Sequence, residues 1–261
     1  MCYLTSPLKN RSLLILILII DQKKINCDRI NVVIMTRICT SIAVERLSDL
    51  VSEIEQSFEA GTDYVEIRFD FLNLHDIEKA VNLVEPFKKK SVYTLRSHLE
   101  NGKFKGSEYD RFAFLKKLAE SKPMFLDIEL STLKSNDELA DYLDGQSVSL
   151  LVSYHNFTET PEIEVLKDIL NEMRIYSNYN KVVTSAKTID DSIKMLDLYE
   201  NLNGLNLIAF AMGDLGIMSR ILCTVVGDAP FTYAASKETI APGQLNLKIL
   251  RKIYDNMKLK V

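Results

Sequence analysis

Apolar positions along the chain keep two rhythms that take turns. From Arg37 onward, short apolar or alternating runs cover 37–42, 63–70, 91–97, 124–130, 147–155, 179–186, 205–212 and 230–236, as buried strands do. Between them, apolar residues recur at helical spacing over 45–60, 76–85, 108–121, 136–144, 161–176, 188–202, 215–227 and 244–258, the period of amphipathic helices. Helix starts carry signals at Ser48-Asp49, Ser107 before Glu108, Thr160-Pro-Glu162 and Thr188 with Asp190-Asp191. Short side-chain oxygens there can accept the free amides of a first turn. Eight strand–helix units with short links predict a single-domain (β/α)8 barrel, the TIM barrel, within residues 35–261. A doubly wound sheet is the alternative. It usually has fewer units or a Gly-rich first turn. Neither G-x-G-x-x-G nor G-x-x-x-x-G-K-[ST] occurs, so a nucleotide phosphate cradle has no support.

Residues 1–34 do not share this rhythm. Lys9 and Arg11 precede an apolar run, Leu13–Ile20, and Asp21-Gln-Lys-Lys24 follows it. The run is near the lower limit of a signal-peptide core and no small-x-small cleavage site follows. The favoured reading is sequence upstream of a start at Met35, where the patterned chain begins. A leading strand or hairpin is second, and a targeting segment third.

Composition narrows the picture further. With 261 residues and 47% hydrophobic, the chain can bury one sizeable core. Nine Gly and six Pro exclude a disordered or collagen-like chain. A formal charge of −4 argues against nucleic-acid partners, which call for a basic field. Cys2, Cys27, Cys39 and Cys223 form no C-x-x-C pair, so a disulfide framework or structural zinc is not expected and a reducing, cytoplasmic setting is. No apolar run approaches the about 18 residues of a membrane span.

Charged residues then appear on the wrong side of strands. In 63–70, Val65, Ile67 and Phe69 share one face while Glu66 and Arg68 share the other. Tyr93 and Leu95 oppose Thr94 and Arg96, Ser153 and His155 share a face, and so do Lys181 and Val183. If the apolar faces meet the helices, Glu66, Arg68, Arg96, His155 and Lys181 point into the barrel. Any one of them alone reads more readily as a solvated edge or a structural ion pair. Five on four strands are hard to explain by stability, because buried ions cost several kcal/mol unless paired. Such residues at the C-terminal ends of barrel strands belong to a site. A lysine in a low-dielectric interior is pushed toward the neutral amine, which can attack a ketone and form a Schiff base. His155 is the natural proton shuttle, with Glu100 or Glu66 to orient it. Arg68, Arg96 and Arg220 can grip a carboxylate or hydroxyls. Ala241-Pro-Gly-Gln244 would set Gln244 at a helix N-terminus, facing an anion. His75 and His98 read as surface residues, with His98 a weak rival. Together the residues point to Schiff-base chemistry on a small anionic ketone.

The chain from Arg37 to Leu259 resembles type I 3-dehydroquinate dehydratase. The matching pieces are Tyr64-Val-Glu-Ile-Arg-Phe-Asp70, Thr94-Leu-Arg-Ser97 with Glu100 and Gly106, and Val152-Ser-Tyr-His-Asn-Phe157. They continue with Lys181-Val-Val, Met212-Gly-Asp-Leu-Gly216, Ser219-Arg220 and Ala241-Pro-Gly-Gln244. The resemblance implies a barrel lyase of the shikimate pathway, leading to aromatic amino acids and chorismate. It would convert 3-dehydroquinate to 3-dehydroshikimate through a lysine imine, with no metal or cofactor, as a homodimer. It implies that Lys181 forms the imine at C3, His155 moves the C2 proton and the C1 hydroxyl, and Glu100 tunes His155. Arg220 and Gln244 would hold the carboxylate, while Glu66, Arg68 and Arg96 order the ring hydroxyls. The segment 236–242 resembles a loop that closes over substrate. Where the family often has a Ser contact, this chain has Ile240 beside Thr239. Lys187 is a rival for the imine lysine, set at a more exposed strand end. The competing functions are a class I aldolase and a non-catalytic binding barrel.

Overall fold

The computed structural model describes residues 36–236 and 241–258; the stretch 1–34, Thr239 and Ile240 lie outside them. Eight strands appear: β1 (Ile38–Ile42), β2 (Tyr64–Arg68), β3 (Ser91–Thr94), β4 (Phe125–Glu129), β5 (Leu150–His155), β6 (Tyr179–Ser185), β7 (Asn206–Met212) and β8 (Thr232–Ala235). Every recorded pairing is parallel. The ladder runs from β8 through β1 to β7 in chain order. Strands β7 and β8 meet through side chains, with the rings of Phe210 and Tyr233 6.3 Å apart. Just beyond them Gly213 N–H donates to Pro242 O at 3.1 Å. This is the predicted (β/α)8 barrel, nearly closed.

The outer layer comprises α1 (Leu47–Glu59), α2 (Ile77–Leu83), α3 (Glu108–Glu120), α4 (Leu130–Ser135), α5 (Asp137–Asp144), α6 (Ile163–Met173), α7 (Ile189–Asp197), α8 (Ile217–Leu222) and α9 (Leu247–Lys258). Capping boxes start α3 at Ser107 with Asp110 and α7 at Thr188 with Asp191, as the sequence predicts. Two other signals act differently. Arg46, not Ser48, precedes α1, and no side chain caps that helix. Glu162 precedes α6, while the Thr160 hydroxyl is engaged with Thr184 and Ser185 O. Helix α4 has no counterpart in the periodicity, since six residues are too few to show a helical period. None of the described helices is long and apolar enough to cross a membrane.

Alternation along the strands divides the core in two. Outward residues such as Val65, Ile67, Leu126, Ile128 and Val152 pack with the helices. Inward residues stack in layers of four from alternate strands, as barrels of this size require. The lowest layer is aromatic: Tyr64, Phe125, Tyr179 and Phe231, with Phe125 and Tyr179 rings 4.7 Å apart. Above it lie Cys39, Val92, Leu151 and Ile208. The next inward positions of the even strands are Glu66, Asp127, Lys181 and Tyr233. Apolar packing therefore plugs the N-terminal end, and polar chemistry is confined to the C-terminal end.

Candidate active site

A cavity of about 430 Å³ opens at that C-terminal end. All eight residues singled out in the sequence line it: Glu66, Arg68, Arg96, Glu100, His155, Lys181, Arg220 and Gln244. His98, read as surface, also lies on its lining, but more than half of its side chain is exposed. His75 is on the surface beside Asp76. Lys187 is exposed and faces Glu159 at 3.7 Å, away from the cavity residues.

Lys181 is 4% exposed. Its Nζ donates to Asp127 Oδ2 at 2.7 Å and lies 3.6 Å from Glu66 Oε1. It also sits 4.7 Å from the centroid of the Tyr233 ring. The sequence reading expected the low-dielectric interior to favour the neutral amine. The structure instead sets two carboxylates against it. Asp127 and its neighbour Glu129 escaped that reading, although Phe125, Asp127 and Glu129 alternate with Leu126 and Ile128 as clearly as the charges of β2 do. Asp127 is held well below the ordinary carboxylate range. Burial opposes this, and Arg96, Lys181 and His155 outweigh it.

Arg96 is the hub of the opposite wall. It donates to Asp127 Oδ1 at 2.6 Å and Ser153 Oγ at 2.8 Å, and lies 3.2 Å from Glu129 Oε1. It sits just past β3, whose ladder with β4 ends at Thr94 and Asp127. Side chains take over there. Arg111 Nη1 donates to Leu95 O at 3.1 Å, and Glu129 Oε1 accepts from Ser97 N–H at 3.0 Å. Arg68 forms a bidentate pair with Asp70, both contacts 2.8 Å. Glu66 accepts from Ser41 Oγ at 2.7 Å and Thr94 Oγ1 at 3.0 Å.

His155 ends β5, and its Nδ1 lies 2.9 Å from Glu100 Oε2. Ser131 Oγ donates to the other Glu100 oxygen at 2.8 Å. Burial first, then the charges of Arg96 and Lys181, push the His155 pKa well below its usual value. The ring is therefore neutral near pH 7. With Nδ1–H donated to Glu100, the lone pair is left on Nε2. Burial raises the Glu100 pKa, against the pull of Arg96.

Arg220 is 2% exposed, and its guanidinium sits 4.1 Å over the Phe210 ring. Its Nε and Nη2 have no hydrogen-bond partner among the described residues. Burial brings its pKa down to about 10. A buried cation without an anion is costly, so this one is suited to an anionic ligand. Gln244 is buried and reaches Ser41 Oγ at 3.5 Å. It does not begin a helix, as the sequence suggested. It lies in a turn, with its N–H on Ala241 O at 3.2 Å, before α9 starts at Leu247. The turn needs glycine at position 243. Its φ is +70°, and a Cβ there would come within 2.4 Å of Gly213 O. Among the described residues no group of three or more His, Cys, Asp or Glu is placed to hold a metal ion.

Fold and site together define a barrel enzyme built around a buried lysine and a buried arginine edge that share one cavity. Residues 38–260 match the family model described as type I 3-dehydroquinase. The chain is 40% identical over 197 residues to a 3-dehydroquinate dehydratase of Dehalococcoides mccartyi, covering 74% of this chain and 86% of that one. It is 37% identical over 214 residues to the 3-dehydroquinate dehydratase of Pyrococcus abyssi, covering 81% and 96%. A crystal structure of 3-dehydroquinate dehydratase from Geobacillus kaustophilus superposes with a TM-score of 0.78 at 24% identity, covering 86% and 92%. This chain belongs to the type I 3-dehydroquinase family.

Proposed function

We propose that the chain dehydrates 3-dehydroquinate to 3-dehydroshikimate through an imine on Lys181. The observation that carries this reading is the buried Lys181 amine in one cavity with the neutral His155 and the unpartnered Arg220 edge. Lys181 Nζ bonds to the C3 carbonyl carbon, and the carbonyl oxygen leaves as water. His155 Nε2 then takes the C2 proton, and the electron pair moves into the protonated imine, giving an enamine. The pair returns as the C1–O bond breaks, and the proton on His155 leaves with the C1 hydroxyl as water. Hydrolysis of the conjugated imine restores the amine and releases the enone. Glu100 fixes the His155 tautomer. Arg220 and Gln244 hold the ring carboxylate, while Glu66, Arg68 and Arg96 order the hydroxyls.

An aldolase acting on sugar phosphates is the rival reading. Barrels that bind phosphate frequently do so at the loops after strands 7 and 8 and a helix N-terminus. Here that region offers the buried Arg220 guanidinium, which can take a carboxylate or a phosphate, so the choice of ketone in the test separates the two. Incubation with 3-dehydroquinate and borohydride tests the reading. A mass increase mapped to Lys181 is expected, with enone absorbance appearing when borohydride is omitted. Absence of both, or full activity in Lys181→Ala, overturns it. An adduct formed only with a sugar-phosphate ketone favours the aldolase, and no adduct with any ketone favours a binding barrel. The same reading makes residues 35–261 the catalytic unit and a cytoplasmic homodimer its working form. A chain begun at Met35 should retain turnover, and light scattering should give twice the chain mass. An inactive shortened chain or a monomer mass removes those two points.

A further inference from the structure

Tyr233 is the fourth member of the layer that holds Glu66, Asp127 and Lys181, and neither the proposed reaction nor the sequence reading assigns it a part. Its residue is 4% exposed and its ring faces the cavity. Phe210 and Phe231 hold that ring from two sides, with centroids 6.3 and 5.6 Å away. The Lys181 ammonium lies 4.7 Å from the ring centroid, within cation–π range. The hydroxyl is buried and has no hydrogen-bond partner among the described residues. A buried hydroxyl without a partner is a cost to the fold, so polar bonding does not account for the residue's place beside the lysine.

We propose that Tyr233 is a positioning residue whose ring face, not its hydroxyl, stabilises the cationic form of the Lys181 nitrogen in the protonated imine. This rests on the imine reading above. The imine nitrogen is the same Nζ, so the ring that faces the ammonium also faces the iminium. Forming the imine consumes no charge on Asp127 or Glu66, the other two groups against Nζ. His155, Glu100 and Cys39 also feel the Lys181 charge. His155 and Glu100 lie on β5 and the loop after β3, while Cys39 is the ladder neighbour of Tyr233 and stays a neutral thiol because burial first, then Glu66, raises its pKa. The Tyr233 phenol itself stays protonated. Burial first, then Glu66, drives its pKa well above the usual value. The ring therefore acts through its quadrupole and carries no charge of its own.

The test compares Tyr233→Phe, Tyr233→Leu and Tyr233→Met in the full chain, each checked for a folded circular dichroism spectrum. Phe keeps the ring and removes the hydroxyl, while Leu and Met fill the space without a π face. Tyr233→Phe should keep kcat within about twofold, with the alkaline limb of its kcat profile in place. The Leu and Met variants should lose about tenfold to thirtyfold in kcat, at about 1.4 kcal/mol per tenfold, with KM within about threefold. Their alkaline limb, which reports the bound complex, should move about one unit toward lower pH, since one unit matches that energy. If Leu fails to fold, Met decides. A wild-type alkaline limb in the non-aromatic variants overturns the inference, and so does a Phe variant that loses as much as they do. Borohydride labelling of Lys181 in the wild-type chain separates the two layers of the reading. If labelling fails there, the imine itself is wrong. If labelling succeeds and the limb does not move, only the role of Tyr233 is.

Discussion

Asp127 holds two cations at once, Lys181 at 2.7 Å and Arg96 at 2.6 Å. Removing its charge leaves both buried and short of a partner, a change that costs about 3 kcal/mol or more. Asp127→Asn should therefore lower the melting temperature by about 6–12 °C in a domain of this size. It should also release the lysine from its fixed position and reduce kcat. A variant that melts with the wild type would show that Glu66, 3.6 Å away, carries the lysine alone. His155 makes a second prediction at this scale. Because its pKa is depressed by burial and by Arg96 and Lys181, the basic form persists on the acid side. The kcat/KM profile should stay flat below about pH 6.5, where a free imidazole is half protonated. An acid limb at pH 6.5 would count against a buried neutral base. The eight lining residues were legible in the sequence because each interrupts an alternating strand or carries a family motif. Asp127 was not, because an acid on a strand reads by itself as a solvated edge or a structural ion pair, and its two cations lie 31 and 54 residues away in sequence. Tyr233 was not, because an aromatic in a strand reads as ordinary core until the lysine opposite it is located.

Each strand and helix rests on signals of unequal strength. The capping box at Ser107 satisfies two backbone groups reciprocally with Asp110, at 3.1 Å each. Ser107→Ala should cost about 1 kcal/mol, lowering the melting temperature by about 2–4 °C. Activity should change little, because the same helix is anchored from within by buried Arg111. That guanidinium reaches Glu108, Leu95 O, Glu129 and Thr132. A large loss of activity in Ser107→Ala would mean that the α3 cap, not Arg111, sets the loop carrying Glu100. The alternation of periods was enough to place all eight strands and the main helix after each, since burial on two faces leaves a strong apolar signal. Boundaries followed less well. Strand β3 stops at Thr94 because Arg111 and Glu129 replace its ladder bonds with side-chain ones. Those partners are 16 and 32 residues away in sequence from the backbone groups they satisfy, beyond any local pattern.

The barrel interior gathers its charged groups, Glu66, Asp127, Arg96 and Lys181, at one end with His155, and that couples its stability to acid. His155 is one titrating member of that cluster, with a side chain only about 10% exposed. Its folded pKa is lowered, so below about pH 6.5 the unfolded chain binds a proton that the folded chain refuses. Stability is then lost as pH falls from about 6.5 toward the folded pKa, by about 1 kcal/mol per unit. Asp127 adds a second loss at lower pH. Its folded pKa is depressed, so the stability it contributes is present above about pH 4 and disappears as the pH falls further. Glu100 works the other way, since its folded pKa is raised, and it offsets part of the loss near its own titration. His75 and His98 are largely exposed, so solvent screens the charge each gains on protonation. The melting temperature should accordingly decline by about 2–4 °C per unit between pH 6.5 and 5, an interval above the titration of the depressed Asp127. His155→Gln removes the only one of these groups with an ordinary pKa near 6.5, so the variant should hold a flat melting temperature over that interval and fall with the wild type below about pH 4. If the variant keeps the wild-type slope between pH 6.5 and 5, the early acid loss arises outside the site, and His155 is not held neutral by its burial.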